Sequence, residues 1–100
     1  MPYRLVMTSD DGRRIYDFEP VGEQEKQGWA RMRLVRIEDD PPVPGVPAIQ
    51  TYDPAVHDGD SHYMSTPWRA RSKKMRGGVR EYSLVGAFGS PGCIPLQRVI

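Results

Sequence analysis

One hundred residues, of which 38% are apolar, make one small domain that buries only about two-thirds of its unfolded surface, which excludes a large enzyme fold. Gly and Pro supply 20 of the 100 residues, above the average of about 12% and below the 25–30% of low-complexity chains. The net charge of +1 conceals two halves: residues 1–60 carry 7 Lys or Arg against 12 Asp or Glu, and residues 61–100 carry 7 cations against Glu81 alone.

This composition predicts a mainly β protein, a small antiparallel sheet or partly open barrel with long Pro/Gly-rich loops and little helix. Residues 3–8 alternate as a strand, with Leu5 and Met7 on one face. Ser9-Asp10-Asp11-Gly12 reads as a type I turn with a glycine bulge, which brings residues 13–19 back as the second strand of a hairpin. Tyr16 and Phe18 then share a face, and Pro20 ends the strand because it cannot donate to a ladder. Residues 23–27 suit one helical turn, interrupted by Gly28.

From Trp29 to Glu38 a helix and a strand compete. The strand is preferred, because a helix would crowd Arg31, Arg33 and Arg36 against its apolar stripe. It places Met32 and Leu34 on one face, Val35 and Ile37 on the other past a possible bulge, and Arg31 and Arg33 towards solvent. Pro41, Pro42, Pro44 and Pro47 then define an extended loop over 41–47, whose P-x-x-P spacing is shared by any proline-rich connector. A short strand is expected over 48–52, centred on Ile49 and Tyr52, and a long loop over 53–67. Residues 53–78 as a whole read as a second extended loop or arm of the single domain. Beyond Gly77-Gly78, taken as a flexible end to the basic run, Val79 to Phe88 reads as a buried strand. Residues 89–95 read as a turn and 96–100 as a closing strand. The expected core includes Leu5, Met7, Tyr16, Phe18, Met32, Leu34, Leu84 and Phe88.

Candidate chemistry is sparse. Cys93 is the only cysteine, which excludes an internal disulfide and fits a reducing compartment; its turn setting before Ile94 suggests a buried, inert thiol. His57, Asp58, Asp60 and His62 could wrap a divalent ion, but the spacing reads better as a solvated Asp-Gly turn, and no metal or other cofactor is assigned. Ser61 beside His62 lacks a nucleophile elbow, and Gly86, Gly89 and Gly92 match no phosphate-binding loop. No enzyme is expected.

The densest feature is basic. Arg69, Arg71, Lys73, Lys74 and Arg76 place five cations in eight residues, preceded by Tyr63 and Trp68 and followed by Arg80. Cations neutralise phosphates while aromatic faces stack on bases, so these eight residues form the candidate contact site. In an extended chain Arg69, Arg71 and Lys73 share one face; the competing reading is a solvated strand whose charges block aggregation. Five phosphate contacts would give a slope of about −4 in log K against log salt.

The expected function is a non-enzymatic protein-interaction or assembly protein that docks on a protein partner or on itself through its loops and basic segment, a build shared with small phage accessory and inhibitor proteins. The alternative is a nucleic-acid-binding domain using Trp68 to Arg80. No apolar run is long enough for a signal peptide or membrane span, so the expected place is the cytoplasm, or the host cytoplasm or virion for a viral protein.

Overall fold

A computed structural model describes residues 2–21, 28–51, 53 and 68–99. Eight strands, all paired antiparallel, form one sheet nearly closed into a barrel: β1 (Tyr3–Ser9), β2 (Gly12–Val21), β3 (Trp29–Asp40), β4 (Ile49–Thr51), β5 (Trp68–Lys74), β6 (Arg80–Val85), β7 (Cys93–Pro95) and β8 (Gln97–Arg98). Their order is β7-β6-β5-β3-β2-β1-β8, and β4 pairs with the C-terminal half of β3, while β5 pairs with its N-terminal half.

Closure follows from the last few residues. β7 lies on β6 and β8 lies on β1, yet Leu96 alone separates them, so the two ends of the strand order must be neighbours in space. Leu96 N–H donates to Tyr82 O at 2.9 Å, Val99 N–H donates to Pro2 O at 3.0 Å, and the Tyr3 and Tyr82 rings meet edge to face at 4.6 Å across the seam. A sheet curled in this way shields its long edges from pairing with other chains.

The hairpin β1–β2 forms where its turn residues place it, but without the expected glycine bulge: Ser9 stands opposite Gly12 and Thr8 opposite Arg13 in unbroken register around Asp10 and Asp11. Gly12 adopts φ +141°, and a Cβ there would lie 2.6 Å from both Asp40 O and Pro41 Cδ, so the close approach of β3 excludes a side chain. β2 does not stop at Pro20, as expected, but runs through it to Val21. β1 begins at Tyr3, opposite Phe18, so beyond that point β2 has β3 as its only strand neighbour and lies locally on an edge, where proline is tolerated.

β3 is a strand, not a helix. Its ladder with β2 passes from Asp17↔Arg36 to Phe18↔Leu34, which leaves Val35 as the extra residue of a bulge. The bulge shifts the alternation by one. Ile37 therefore joins Ala30, Met32 and Leu34 in the core, 3% exposed, instead of facing away with Val35 as expected. Phe18, Met32 and Leu84 are fully buried at the centre, with Leu5, Ala70 and Tyr82 around them.

Two expected core residues lie elsewhere. Met7 is 41% exposed, because it sits beside a shallow cavity near the hairpin turn. Phe88, 40% exposed, is not in a strand: β6 ends at Val85, and Phe88 occupies a 3-10 turn at φ 54°, with its ring against Tyr16 and Trp68. Val79 likewise precedes β6 and is exposed. The segment expected as a turn over 89–95 contributes β7, and Cys93 within it is exposed, not buried, because it lies on a short edge strand. The helical turn at 23–27, Tyr52, and the loop from 54 to 67 lie outside the described residues.

Candidate basic face

Residues 68–74, expected within an arm, form β5 between β3 and β6: Trp68–Arg71 pair with β3 and Ala70–Lys74 with β6. Alternation then divides the basic segment. Ala70 and Ser72 point inward and are buried, whereas Arg69, Arg71 and Lys73 are exposed on the outer wall. Trp68 shares the inward side. Its ring packs 5.2 Å from Phe18 and 5.0 Å from Phe88, and its indole N–H is buried, so it belongs to the core periphery and offers no outward stacking surface.

The other members of the sequence-predicted site separate as well. Arg80 is half-buried and donates to Ser72 Oγ at 3.1 Å, opposite Lys74 at the end of the β5–β6 ladder. Arg76 lies in the turn that follows, where Gly77 and Gly78 both take left-handed φ near +80° and Gly78 N–H donates to Met75 O. That pair of glycines builds a tight hairpin instead of a flexible end. Tyr63, with the His57, Asp58, Asp60 and His62 cluster and Ser61, lies outside the described residues.

The pairing of β3 with β5 assembles what the segment alone does not show. Trp29 lies opposite Arg71 and Arg31 lies opposite Arg69, while Arg33 extends the row along β3. The guanidinium carbons of Arg69 and Arg71 sit 4.4 and 4.0 Å from the centroid of the Trp29 ring. An indole face attracts a guanidinium electrostatically and restricts its rotamers, while leaving its in-plane N–H donors available. Five cations, Arg31, Arg33, Arg69, Arg71 and Lys73, thus share one outer surface around a half-buried Trp29. Among the described residues no carboxylate reaches ion-pair distance of any of them.

Two acidic residues border this surface: Glu19 stands across from Arg33, and Glu81 across from Lys73. The charges at its margins are therefore partly offset, and Arg31, Arg69 and Arg71 are the cations without an acidic cross-strand neighbour.

The acidic half is held differently. Asp17, 4% exposed, receives Arg4 Nε at 2.8 Å and lies 3.5 Å from Arg36, which also pairs with Glu38. Asp39, 6% exposed, is engaged by Arg14 Nε at 2.7 Å, and Asp40 by Arg13 at 2.8 Å. Hydrogen bonding to Asp17 raises the Arg4 pKa above its ordinary value, and hydrogen bonding to Asp39 does the same for Arg14, so both remain cationic. These carboxylates are neutralised by arginines from their own half of the chain, and the basic segment does not fold over them.

A cavity of about 330 Å³ opens near the far end of β3, lined by Met7, Arg13, Arg14, Asp39, Pro41 and Val43. Four of its ionic groups are paired with each other, Arg13 with Asp40 and Arg14 with Asp39, and Asp11 lies at the hairpin turn beside them. Among the described residues, no three of His, Cys, Asp and Glu gather as a metal site would require.

The sequence identified Arg69, Arg71 and Lys73 as one face and sent Arg31 and Arg33 towards solvent, but took Trp68 in place of Trp29 as the aromatic partner. The signal was present in the alternation: Trp68 shares its parity with Ala70, opposite to the arginines. Compared with protein-family models, curated proteins and solved structures, the chain matches none.

Proposed function

We propose that this protein is a non-enzymatic docking module whose contact surface for an acidic partner is the outer wall of β3 and β5. The observation that carries this reading is the pair of guanidinium groups held over Trp29 with Arg31 beside them, none engaged by a carboxylate among the described residues. Exposed like charges on adjacent strands repel one another, and an anionic partner relieves that repulsion. A binding role also agrees with the state of the buried carboxylates. Asp17 and Asp39 are held by arginines, whereas acid–base chemistry uses a carboxyl group free to exchange its proton at a cleft.

Residues 41–47, all exposed at the opposite end of β3 from Trp29, provide a second contact in an assembly. They are not the extended segment that four prolines suggest: Pro44 and Gly45 turn the chain, Gly45 takes φ +80°, and Val46 N–H donates to Val43 O at 3.1 Å, so the contact is a preformed turn with a low ordering cost on binding.

The test is retention on immobilised heparin and on immobilised polyglutamate at about 50 mM salt, where screening is modest. The wild-type protein is expected to bind at least one of the two polymers, and an Arg69→Glu/Arg71→Glu variant with an unchanged circular dichroism spectrum is expected to flow through. Failure of the wild type to bind either polymer, or equal retention of the variant, would overturn the reading.

A further inference from the structure

We infer that the acidic partner of this face is a single-stranded nucleic acid, bound along β5 through its phosphates; this rests on the docking reading above. Three features of the wall support it.

The first is the row itself. In a strand, residues two apart on one face are separated by about 6.7 Å, so Arg69, Arg71 and Lys73 present cations at an interval close to that between successive phosphates of an extended strand. Arg31 lies one strand over, about 4.8 Å away. The basic surface is thus two strands wide. That width follows one phosphate chain, whereas a duplex presents two backbones across a groove of roughly 6 or 12 Å.

The second is the type of cation and its support. Four of the five cations are arginines, whose planar donor forks match phosphate oxygens, and Trp29 organises two of them in advance. A guanidinium backed by an indole also has an opposite π-face on which a base can stack, which does not require a particular base.

The third separates nucleic acid from an acidic polypeptide. Extended peptides gain affinity by adding a strand to an open sheet edge, but Ala70 and Arg71, at the centre of the basic row, are paired with β3 on one side and β6 on the other. A peptide laid on this wall would have side-chain contacts alone. A nucleic acid presents its charges on its backbone and needs no edge.

Glu19 and Glu81 set the length of the footprint. With Arg33 and Lys73 partly offset, about three phosphates are neutralised by Arg31, Arg69 and Arg71, which gives a slope near −2 in log K against log salt for a single strand. A rise from about 50 to 200 mM salt then lowers affinity about twentyfold.

The experiment is fluorescence anisotropy with a labelled oligothymidylate of about 16 nucleotides, its duplex with oligoadenylate, and labelled polyglutamate, at those two salt concentrations. The oligothymidylate is expected to bind most tightly and to lose about twentyfold with salt. Arg69→Ala/Arg71→Ala is expected to weaken binding at least tenfold and to flatten the slope to about −0.7. Arg31→Glu probes the same wall from β3 and is expected to weaken binding too, so the test does not rest on one variant.

Polyglutamate binding without oligonucleotide binding would overturn the nucleic-acid inference and leave the docking reading standing. No binding to any of the three would overturn both. Duplex binding as tight as that of the single strand would overturn the single-strand assignment. Oligonucleotide binding unaffected by both substitutions would overturn the assignment of this face.

Discussion

Arg71 lies directly opposite Trp29 in the β3–β5 ladder, and its guanidinium carbon sits 4.0 Å from the centroid of the indole ring. The contact joins residues 42 positions apart in sequence, so the fold itself creates it. Trp29 has a double role here: it covers part of the wall of the barrel and it orders two cations for a ligand.

Replacing Trp29 by Leu is therefore expected to separate the two roles. Each exposed cation–π contact contributes about 0.5–1 kcal/mol, so loss of two of them costs about 1–2 kcal/mol, to be read as a lower midpoint in urea denaturation. Binding to an anionic polymer is expected to fall several-fold although no charge has been removed. A variant as tight as wild type would show that the arginines need no support from the ring.

Asp17 supports the opposite part of the wall. Its carboxylate is buried beneath Arg4 and Arg36, and removing one member of a buried ion pair leaves the others desolvated without compensation. The two arginines are each about one-third exposed, which moderates the penalty, so Asp17→Ala is expected to cost about 3 kcal/mol in chemical denaturation. The pH dependence has a definite sign. Arg4 is raised above its ordinary pKa chiefly by its hydrogen bond to Asp17, so its share of the stability is complete below that ordinary value and is lost only as pH rises through the folded one. The difference between wild type and Arg4→Ala is accordingly expected to be the same at neutral pH and at about pH 10. A difference that shrinks over this interval would contradict the assignment.

Much of this architecture was legible in local pattern. Asp10, Asp11 and Gly12 mark the first hairpin, and the shared face of Arg69, Arg71 and Lys73 follows from alternation, although the segment reads as an arm until Ala70 and Ser72 are seen to be buried. Long-range pairing was not legible. Nothing near Arg69 states that Arg31 will lie across from it, because a ladder partner is selected by the whole sheet. The bulge at Val35 was equally hidden: one unpaired residue sends Ile37 into the core, and either parity gives a plausible strand. Phe88 was misplaced because an apolar residue following a buried strand looks like its continuation, whereas the left-handed glycines Gly86 and Gly89 turn the chain around it.

Gly12 and Gly45 make a controlled comparison, since both have positive φ but only one is crowded. A Cβ at Gly12 meets Asp40 O and Pro41 Cδ at 2.6 Å, whereas a Cβ at Gly45 meets nothing within 4 Å. Gly45→Ala is expected to cost about 1 kcal/mol from backbone strain alone. Gly12→Ala adds displacement of the β3 terminus and is expected to cost about 2–3 kcal/mol. Equal losses in urea denaturation would mean that the turn yields without disturbing β3.

Cys93 lies exposed on β7, at the seam where Leu96 carries the chain from β7, paired with β6, to β8, paired with β1. An exposed thiol reacts without prior unfolding, whereas a buried one reacts only through opening of the structure. The native protein is therefore expected to titrate one thiol with Ellman's reagent at a rate close to that of the urea-unfolded chain. Since the side chain packs into no core, Cys93→Ser is expected to change stability by no more than about 0.5 kcal/mol. Protection of the native thiol by orders of magnitude, together with a large loss on substitution, would place Cys93 inside the barrel and require a different path for the closing strands.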